Sequence, residues 1–402
     1  MILFLSNGHG EDLIGATLAA KLRRAAPEVE VKALAVVGEG KPYSKAGIPL
    51  VGPRRAMPSG GFTRNSLANL LADLRAGLLP LLLGQAAEVR RLGREVDLVV
   101  AVGDILVLYL ARRQARRPTV FLPTAKSDYI APHFAVEVAL MRECLKVFPR
   151  DALTATHLSS EGVPAEYVGN AMMDCLDVSG ANLRPLLGPA AFVVALLPGS
   201  RQEAYLNLED LTAVAARLVG LVSQPMAFPV ALAPALDPHR AAEAICTAGG
   251  EAVLLNAASH LAPLPGRDGH APQPSSPRPV LTLVLGRFGD VVLASDLVVG
   301  LAGTANEQAA GLGRPVVAFP GRGAQFTPRF AAAQKKLLGE AVALVERDFS
   351  RVAGTAWRIL NDPAEYACRA AAGRERMGGP GATDRIAEGI VTAWEEVRHR
   401  SV

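Results

Sequence analysis

An apolar run from Ile2 to Leu5 breaks into Ser-Asn-Gly-His-Gly-Glu-Asp, and apolar positions then return at helical spacing, at Leu13, Ile14, Leu18 and Leu22. Short β-branched runs go on alternating with longer Ala/Leu-rich segments: strand 1–6, helix 11–25, strand 29–37, helix about 65–93, strand 97–102. Alternation of this kind predicts a parallel sheet with helices on both faces. After residue 175 the pattern restarts, with AFVVALLPGS, MAFPVALAP, VLTLVLG, DLVVGLAGT and RPVVAFPG as strands. The expectation is an α/β chain of two doubly wound Rossmann-like domains, 1–172 and 173–380, joined near EYVGNAMMDCLDVSG. TDRIAEGIVTAWEEV, with a Thr at its start and a helical apolar stripe, predicts a last amphipathic helix within 381–402. One stretch breaks the rhythm: APLPGRDGHAPQPSSPRP, 262–279, is rich in Pro, Gly and Ser and reads as a flexible insertion between two strands.

Composition narrows the classes. At 402 residues and 50% hydrophobic the chain can bury a sizeable core. The net charge of +4 comes from scattered Lys and Arg, which argues against a nucleic-acid partner. Cys144, Cys175, Cys246 and Cys368 are far apart and match no zinc or redox spacing, so reduced, mostly buried thiols in a cytoplasmic protein are expected. The apolar start lacks a basic leader and runs directly into Glu11 and Asp12, so it reads as a core strand and not a signal peptide. Asp104 splits the longest apolar stretch, VDLVVAVGDILVLYLA, below the roughly 20 residues that a membrane helix needs.

In doubly wound sheets ligands bind beyond the carboxyl ends of strands, and four loops there carry candidate chemistry. In the opening loop, Gly8 and Gly10 permit a sharp turn and close approach of a ligand, and His9 and Asp12 are candidate bases. Gly15 falls five residues after Gly10, which disfavours a dinucleotide fingerprint; the plain alternative is a strand-to-helix turn with Asp12 on the helix dipole. Asp104 follows an apolar strand, where desolvation would suit a general base, although a helix cap is the alternative. In LLPGSRQEA, the amides around Gly199, the Ser200 hydroxyl and the Arg201 fork suit phosphate oxygens, against the plain alternative of a surface Arg after a turn. Gly303-Thr304 opens an Ala-rich helix whose N-terminus suits a diphosphate, with Asn306, Glu307 and Gln308 in its first turn for sugar hydroxyls; a capped buried helix is the alternative.

Together these loops resemble the GT-B glycosyltransferases, most closely the lipid-A-disaccharide synthase family, collinearly over nearly the whole chain. GHGEDLIGATL stands where that family has its opening Gly/Ser-Gly-Asp loop, GDI at 103–105 near its Gly-Ile-Asp element, LLPGSRQEA at its Leu-Pro-Gly-Ser-Arg motif, and GTANEQAAGLGRP at its Gly-Thr-Ala helix start. The resemblance implies a GT-B fold with two domains facing across a cleft, and inverting, metal-independent transfer of a sugar from a UDP-sugar to a hydroxyl of a lipid-type acceptor, with no cofactor. It places Arg201 and the Gly303-Thr304 helix start at the diphosphate and Asp104 as base, with the last helix, about 384–400, folded back on the first domain.

The departures gather on the acceptor side. Counting back from Pro315, the family's helix glutamate falls on Gln308, one position after this chain's Glu307, so either can meet the ribose. Asn170 stands where the family tends to carry His, and FLPTAKSDYIAPH lacks its aromatic Ser-Pro-x-x-Trp-Ala-Trp character. The expectation is a related transferase with a different acceptor, its base left open among Asp104, His9 and Asp12. A UDP-sugar 2-epimerase or hydrolase of the same fold and a non-catalytic sugar-nucleotide-binding protein are the rivals. Residues 66–94 concentrate leucines and end in Arg90, Arg91 and Arg94, which suits either a core helix or peripheral contact with the inner face of a membrane.

Overall fold

The computed structural model describes residues 1–55, 71, 74–176, 178–255, 261–263, 278–323 and 325–400. They divide into two units, residues 1–175 with 379–402, and residues 176–378.

In unit 1 the apolar runs become short strands with no polar face, as parallel strands covered on both sides require. They are β1 (Ile2–Ser6), β2 (Val31–Ala35), β3 (Leu98–Gly103), β4 (Thr119–Pro123) and β5 (Lys146–Val147), in the order β2-β1-β3-β4-β5 and all parallel. Between them run α1 (His9–Ala25), α2 (Lys41–Lys45), α3 (Leu78–Leu92), α4 (Ile105–Tyr109, continued by a π-helical stretch Leu110–Ala115), α5 (Ala135–Arg142) and α6 (Ala152–Ser160). Side chains alternate across the sheet: Ile2 and Phe4 pack into a core shared with Leu18 and Leu22, while Leu3 and Leu5 pack into the opposite core with Val89 and Leu92.

Unit 2 holds β6 (Phe192–Leu197), α7 (Ala204–Leu221), β7 (Met226–Leu232), α8 (Pro238–Thr247), β8 (Glu251–Leu255), β9 (Leu261–Pro263), β10 (Val280–Leu285), α9 (Phe288–Ala294), β11 (Leu297–Gly300), α10 (Thr304–Gly311), β12 (Val316–Ala318), α11 (Pro328–Leu338), β13 (Val342–Leu344), α12 (Phe349–Asn361) and α13 (Pro363–Met377). Its sheet order is β13-β12-β11-β6-β7-β10-β8-β9, parallel except for the β8/β9 pair.

The last helix, α14 (Ala382–His399), belongs to unit 1. Its Ile386, Ile390 and Trp394 join the core built on α1, and Lys21 pairs with Asp384 at 2.5 Å. Its start differs from the expected Thr cap. Thr383 lies inside the helix, and the Asp174 carboxylate accepts from the N–H groups of Gly381 and Thr383, each at 2.6 Å. An acceptor about 200 residues away in sequence does what the local Thr was expected to do.

Other differences are local. Within 66–94 the described residues are helical at 71 and 74–75 and, after a turn at 76–77, again in α3 from Leu78; residues 66–70 and 72–73 lie outside the described residues. The insertion at 262–279 overlaps β9, and its residues 264–277 lie outside them too. Of the four free thiols only Cys144 is buried, and Cys368 is exposed, so "mostly buried" does not hold. Among the described residues no helix is long and apolar enough to cross a membrane.

Candidate functional site

In unit 1 the chain runs from β1 outward to β2 on one side, and β3 and β4 extend the sheet on the other. The carboxyl ends of β1 and β3 therefore form the topological switch point, where open α/β sheets leave a crevice. Ser6 stands opposite Val102, so the loops at Asn7 and Asp104 emerge side by side. The Asp104 N–H donates to Asn7 Oδ1 over a long 3.4 Å. Gly103 makes that approach possible: its φ is 141°, and a Cβ there would lie 1.8 Å from Asn7 Oδ1. The sheet thus brings together two loops that lie nearly a hundred residues apart.

The three candidate bases fare differently within this corner. Asp104 caps α4, its Oδ1 accepting from Leu106 N at 2.8 Å, and it still lines a pocket on this side of the sheet. Asp12 turns inward from the first turn of α1 and is only 2% exposed. It accepts from Ser6 Oγ at 2.6 Å, and that hydroxyl in turn meets Tyr43 Oη at 2.9 Å. Burial pushes the Asp12 carboxyl up to about 7, against the lowering effect of the Ser6 bond and helped by the charge of Glu11. The desolvated carboxylate of the opening loop thus faces the core. His9 and Gly10 are exposed at the start of α1, and Gly8 precedes them in extended backbone.

The pocket beside Asp104 is walled by Leu108 and Phe121 and carries Lys126, His133 and Glu137. Glu137, buried on α5, accepts from Lys126 Nζ at 2.6 Å and from the Phe134 N–H at 2.8 Å. Lys126 also lies 3.7 Å from the centre of the Phe134 ring. Asp128 holds two imidazoles, its Oδ1 3.0 Å from His133 Nδ1 and its Oδ2 2.9 Å from His157 Nδ1. The sequence pattern singles out none of Lys126, Asp128, His133 or Glu137. The available signal was the apolar run Thr119–Leu122, a strand whose carboxyl end opens onto FLPTAKSDYIAPH.

Unit 2 repeats the arrangement. Here β6 is the first strand, with β7 on one side and β11 on the other, so the switch point lies between β6 and β11. Gly300 stands opposite Leu197, and Leu301 N donates to Leu197 O at 2.8 Å, which sets the Pro198–Arg201 turn beside the start of α10. Gly199 has φ 100°, and its Cβ position lies 3.6 Å from Leu301 O. Ser200 and Thr304 are exposed there, whereas Glu307 and Gln308 are mostly buried in the first turns of α10.

Asn306 departs from its expected role at sugar hydroxyls. It is fully buried, and its Nδ2 donates to Gly300 O at 3.1 Å and to Gln334 Oε1 at 2.9 Å. Gln334 in turn donates to the carbonyls of Ala302 and Gly303 at 3.2 and 2.9 Å. Asn306 therefore braces the Gly303 turn from behind. Asn207 braces the other turn: its Nδ2 donates to Pro198 O at 2.9 Å, and its Oδ1 accepts from Arg322 N at 3.3 Å. Arg322 is anchored by the fully buried Asp210, at 2.5 and 2.9 Å. Phe330, 42% exposed, rests against the Gly303 turn and is another residue that the sequence pattern passes over.

Neither a protein-family model nor a curated protein matches the chain. Solved structures do. The UDP-GlcNAc 2-epimerase of Neisseria meningitidis bound to UDP-GlcNAc is similar over 98% of this chain and 100% of that one, at 14% identity and a TM-score of 0.60. CalG4, the calicheamicin glycosyltransferase, is similar over 98% of each chain at 16% identity and 0.58. Acinetobacter baumannii MurG is similar over 98% and 100% at 13% identity and 0.56. With the two parallel-sheet units, these likenesses show that the chain has the GT-B fold.

Proposed function

We propose that this chain is a UDP-sugar enzyme, and that it transfers the sugar, with inversion, from UDP to a hydroxyl of a lipid-type acceptor. The observation that carries the reading is the pairing of the Pro198–Arg201 turn with the Gly303–Thr304 helix start at the β6/β11 switch point. A diphosphate at this place would meet the start of α10, where the helix dipole favours its charge and the Arg201 guanidinium would complete the neutralisation. These groups also oppose the charge that grows on UDP as the anomeric bond breaks. Either Glu307 or Gln308 meets the ribose. On the acceptor side, Asp104 and the opening loop share the β1/β3 switch point of unit 1.

The lipid character of the acceptor is supported by α3, where Leu79 and Leu83 are 58% and 65% exposed on a helix ending in Arg90 and Arg91. A second reading, UDP-sugar 2-epimerase or hydrolase, is favoured by the likeness to the Neisseria epimerase. Product analysis separates the two. UDP-N-acetylglucosamine is incubated alone and with diacylglycerol vesicles as the hydroxyl probe. Glycolipid formed only with the vesicles supports transfer, and a changed or freed sugar without them supports the second reading.

A further inference from the structure

The Asp128 carboxylate has an imidazole Nδ1 on each of its oxygens. An ionised carboxylate only accepts, so both Nδ1 atoms carry their hydrogens. For His157, half exposed at 53%, that leaves Nε2 to solvent. His133 is different: its side chain is 3% exposed, it lines the pocket that Asp104 also lines, and its Nε2 has no partner among the described residues. A protonated Nε2 there would be a buried donor without an acceptor, which is costly, whereas a bare lone pair is the cheaper state. The fold has therefore fixed one tautomer and left an unpartnered ring nitrogen on a residue that lines a pocket. The carboxylate that fixes it is itself held, with the Asp128 N–H donating to Thr154 Oγ1 at 3.0 Å and Thr154 N donating to Asp151 Oδ1 at 2.8 Å.

We propose that His133 is the catalytic base that receives the acceptor's hydroxyl proton, and that Asp128 is its positioning residue. The inference rests on the sugar-transfer reading and places the base at a residue other than Asp104, His9 and Asp12, the three that the sequence offered. In the step, the acceptor O–H gives its proton to His133 Nε2 and its oxygen forms the new bond to the anomeric carbon. The bond from that carbon to the UDP phosphate oxygen breaks, and its electron pair leaves with UDP. The Asp128 carboxylate stabilises the imidazolium so formed, as a carboxylate behind a histidine base does elsewhere. Asp104, engaged in capping α4, shapes the pocket that receives the hydroxyl.

Two readouts on the full chain test this. In ¹⁵N-histidine-labelled protein at pH 8, with His133→Gln and His157→Gln used for assignment, long-range ¹H–¹⁵N spectra should show His133 neutral with its proton on Nδ1. Asp128→Asn should redistribute that proton. A proton on Nε2 of the wild type overturns the proposal, whatever the substrate is. In the second, UDP release from UDP-N-acetylglucosamine is followed with diacylglycerol vesicles present. His133→Gln and Asp128→Asn should each lose about 100-fold or more while binding UDP as the wild type does, and added imidazole should restore part of the turnover of His133→Ala. Turnover of His133→Gln within about threefold of wild type overturns the base assignment, since general-base catalysis is worth far more than that. Absence of UDP binding in the wild type would instead overturn the UDP-sugar reading, and the tautomer then tests the Asp128–His133 pair independently.

Discussion

Replacing Asp12 by Asn should change how the stability of unit 1 depends on pH. The Asp12 carboxyl sits at about 7 in the folded chain against 3.8 for the free side chain, chiefly because burial disfavours its charge. An acid shifted this way is protonated in both states at low pH and ionised in both well above 7. In between, the folded state holds a proton that unfolding releases, so stability is highest below about 3.8 and falls as pH rises through the window to about 7. A rise of about three pH units corresponds to about 4 kcal/mol at 1.36 kcal/mol per unit, of which about 2.5 kcal/mol is expressed between pH 5 and pH 8. Asn keeps an oxygen that can accept from Ser6 Oγ and carries no charge, so the variant should gain about 2.5 kcal/mol on the wild type between those two pH values. The assay is urea unfolding in a Trp357→Phe background, where Trp394, the other of the two tryptophans, reports on unit 1 from α14. If the free-energy curves of Asp12→Asn and its parent run parallel from pH 5 to pH 8, the buried-carboxylate account of Ser6, Asp12 and Tyr43 is wrong.

Other perturbations address the loops. Gly103→Ala puts a methyl group 1.8 Å from Asn7 Oδ1 at a backbone φ of 141°, and should lower the stability of unit 1 by more than about 2 kcal/mol in the same unfolding assay. Asp174→Ala removes the acceptor for the first N–H groups of α14, and should cost about 1–2 kcal/mol, seen as an earlier Trp394 transition. Asn306→Ala loosens the Gly303 turn without touching a ligand, and should weaken UDP binding about tenfold by calorimetry. Leu79→Asp with Leu83→Asp should reduce flotation with anionic vesicles and leave UDP binding unchanged; flotation equal to wild type refutes membrane contact through α3.

The doubly wound character was legible because parallel strands covered on both faces have no polar positions to blur the signal, as β1, β3 and β6 show. Strands of two or three residues such as β5, β12 and β13 take their place from neighbours in the sheet, and of these only β12 lay within a run that the sequence singled out. The switch-point loops were found for the same reason as the strands, since each follows an apolar run. The direction in which a polar side chain turns was not legible. Asp12 and Asp104 both sit at a strand-to-helix corner; one is buried and bonded to Ser6, whose hydroxyl also meets Tyr43 further along the chain, and the other caps α4 through its local turn. Asn306 reads as a polar residue on a binding helix until Gln334 is placed beside it. His133 reads as a loop histidine until Asp128 and the pocket assemble around it. A helix start with a distant acceptor, as at Asp174, leaves no local trace for the same reason.

The measurement closest to the central claim is calorimetric titration of the full chain with UDP, GDP, ADP and NAD, in parallel with Arg201→Ala. The account predicts selective binding of UDP, weakened about tenfold or more when the guanidinium proposed to meet the diphosphate, that of Arg201, is removed. Preference for NAD, or no nucleotide bound at all, would contradict it.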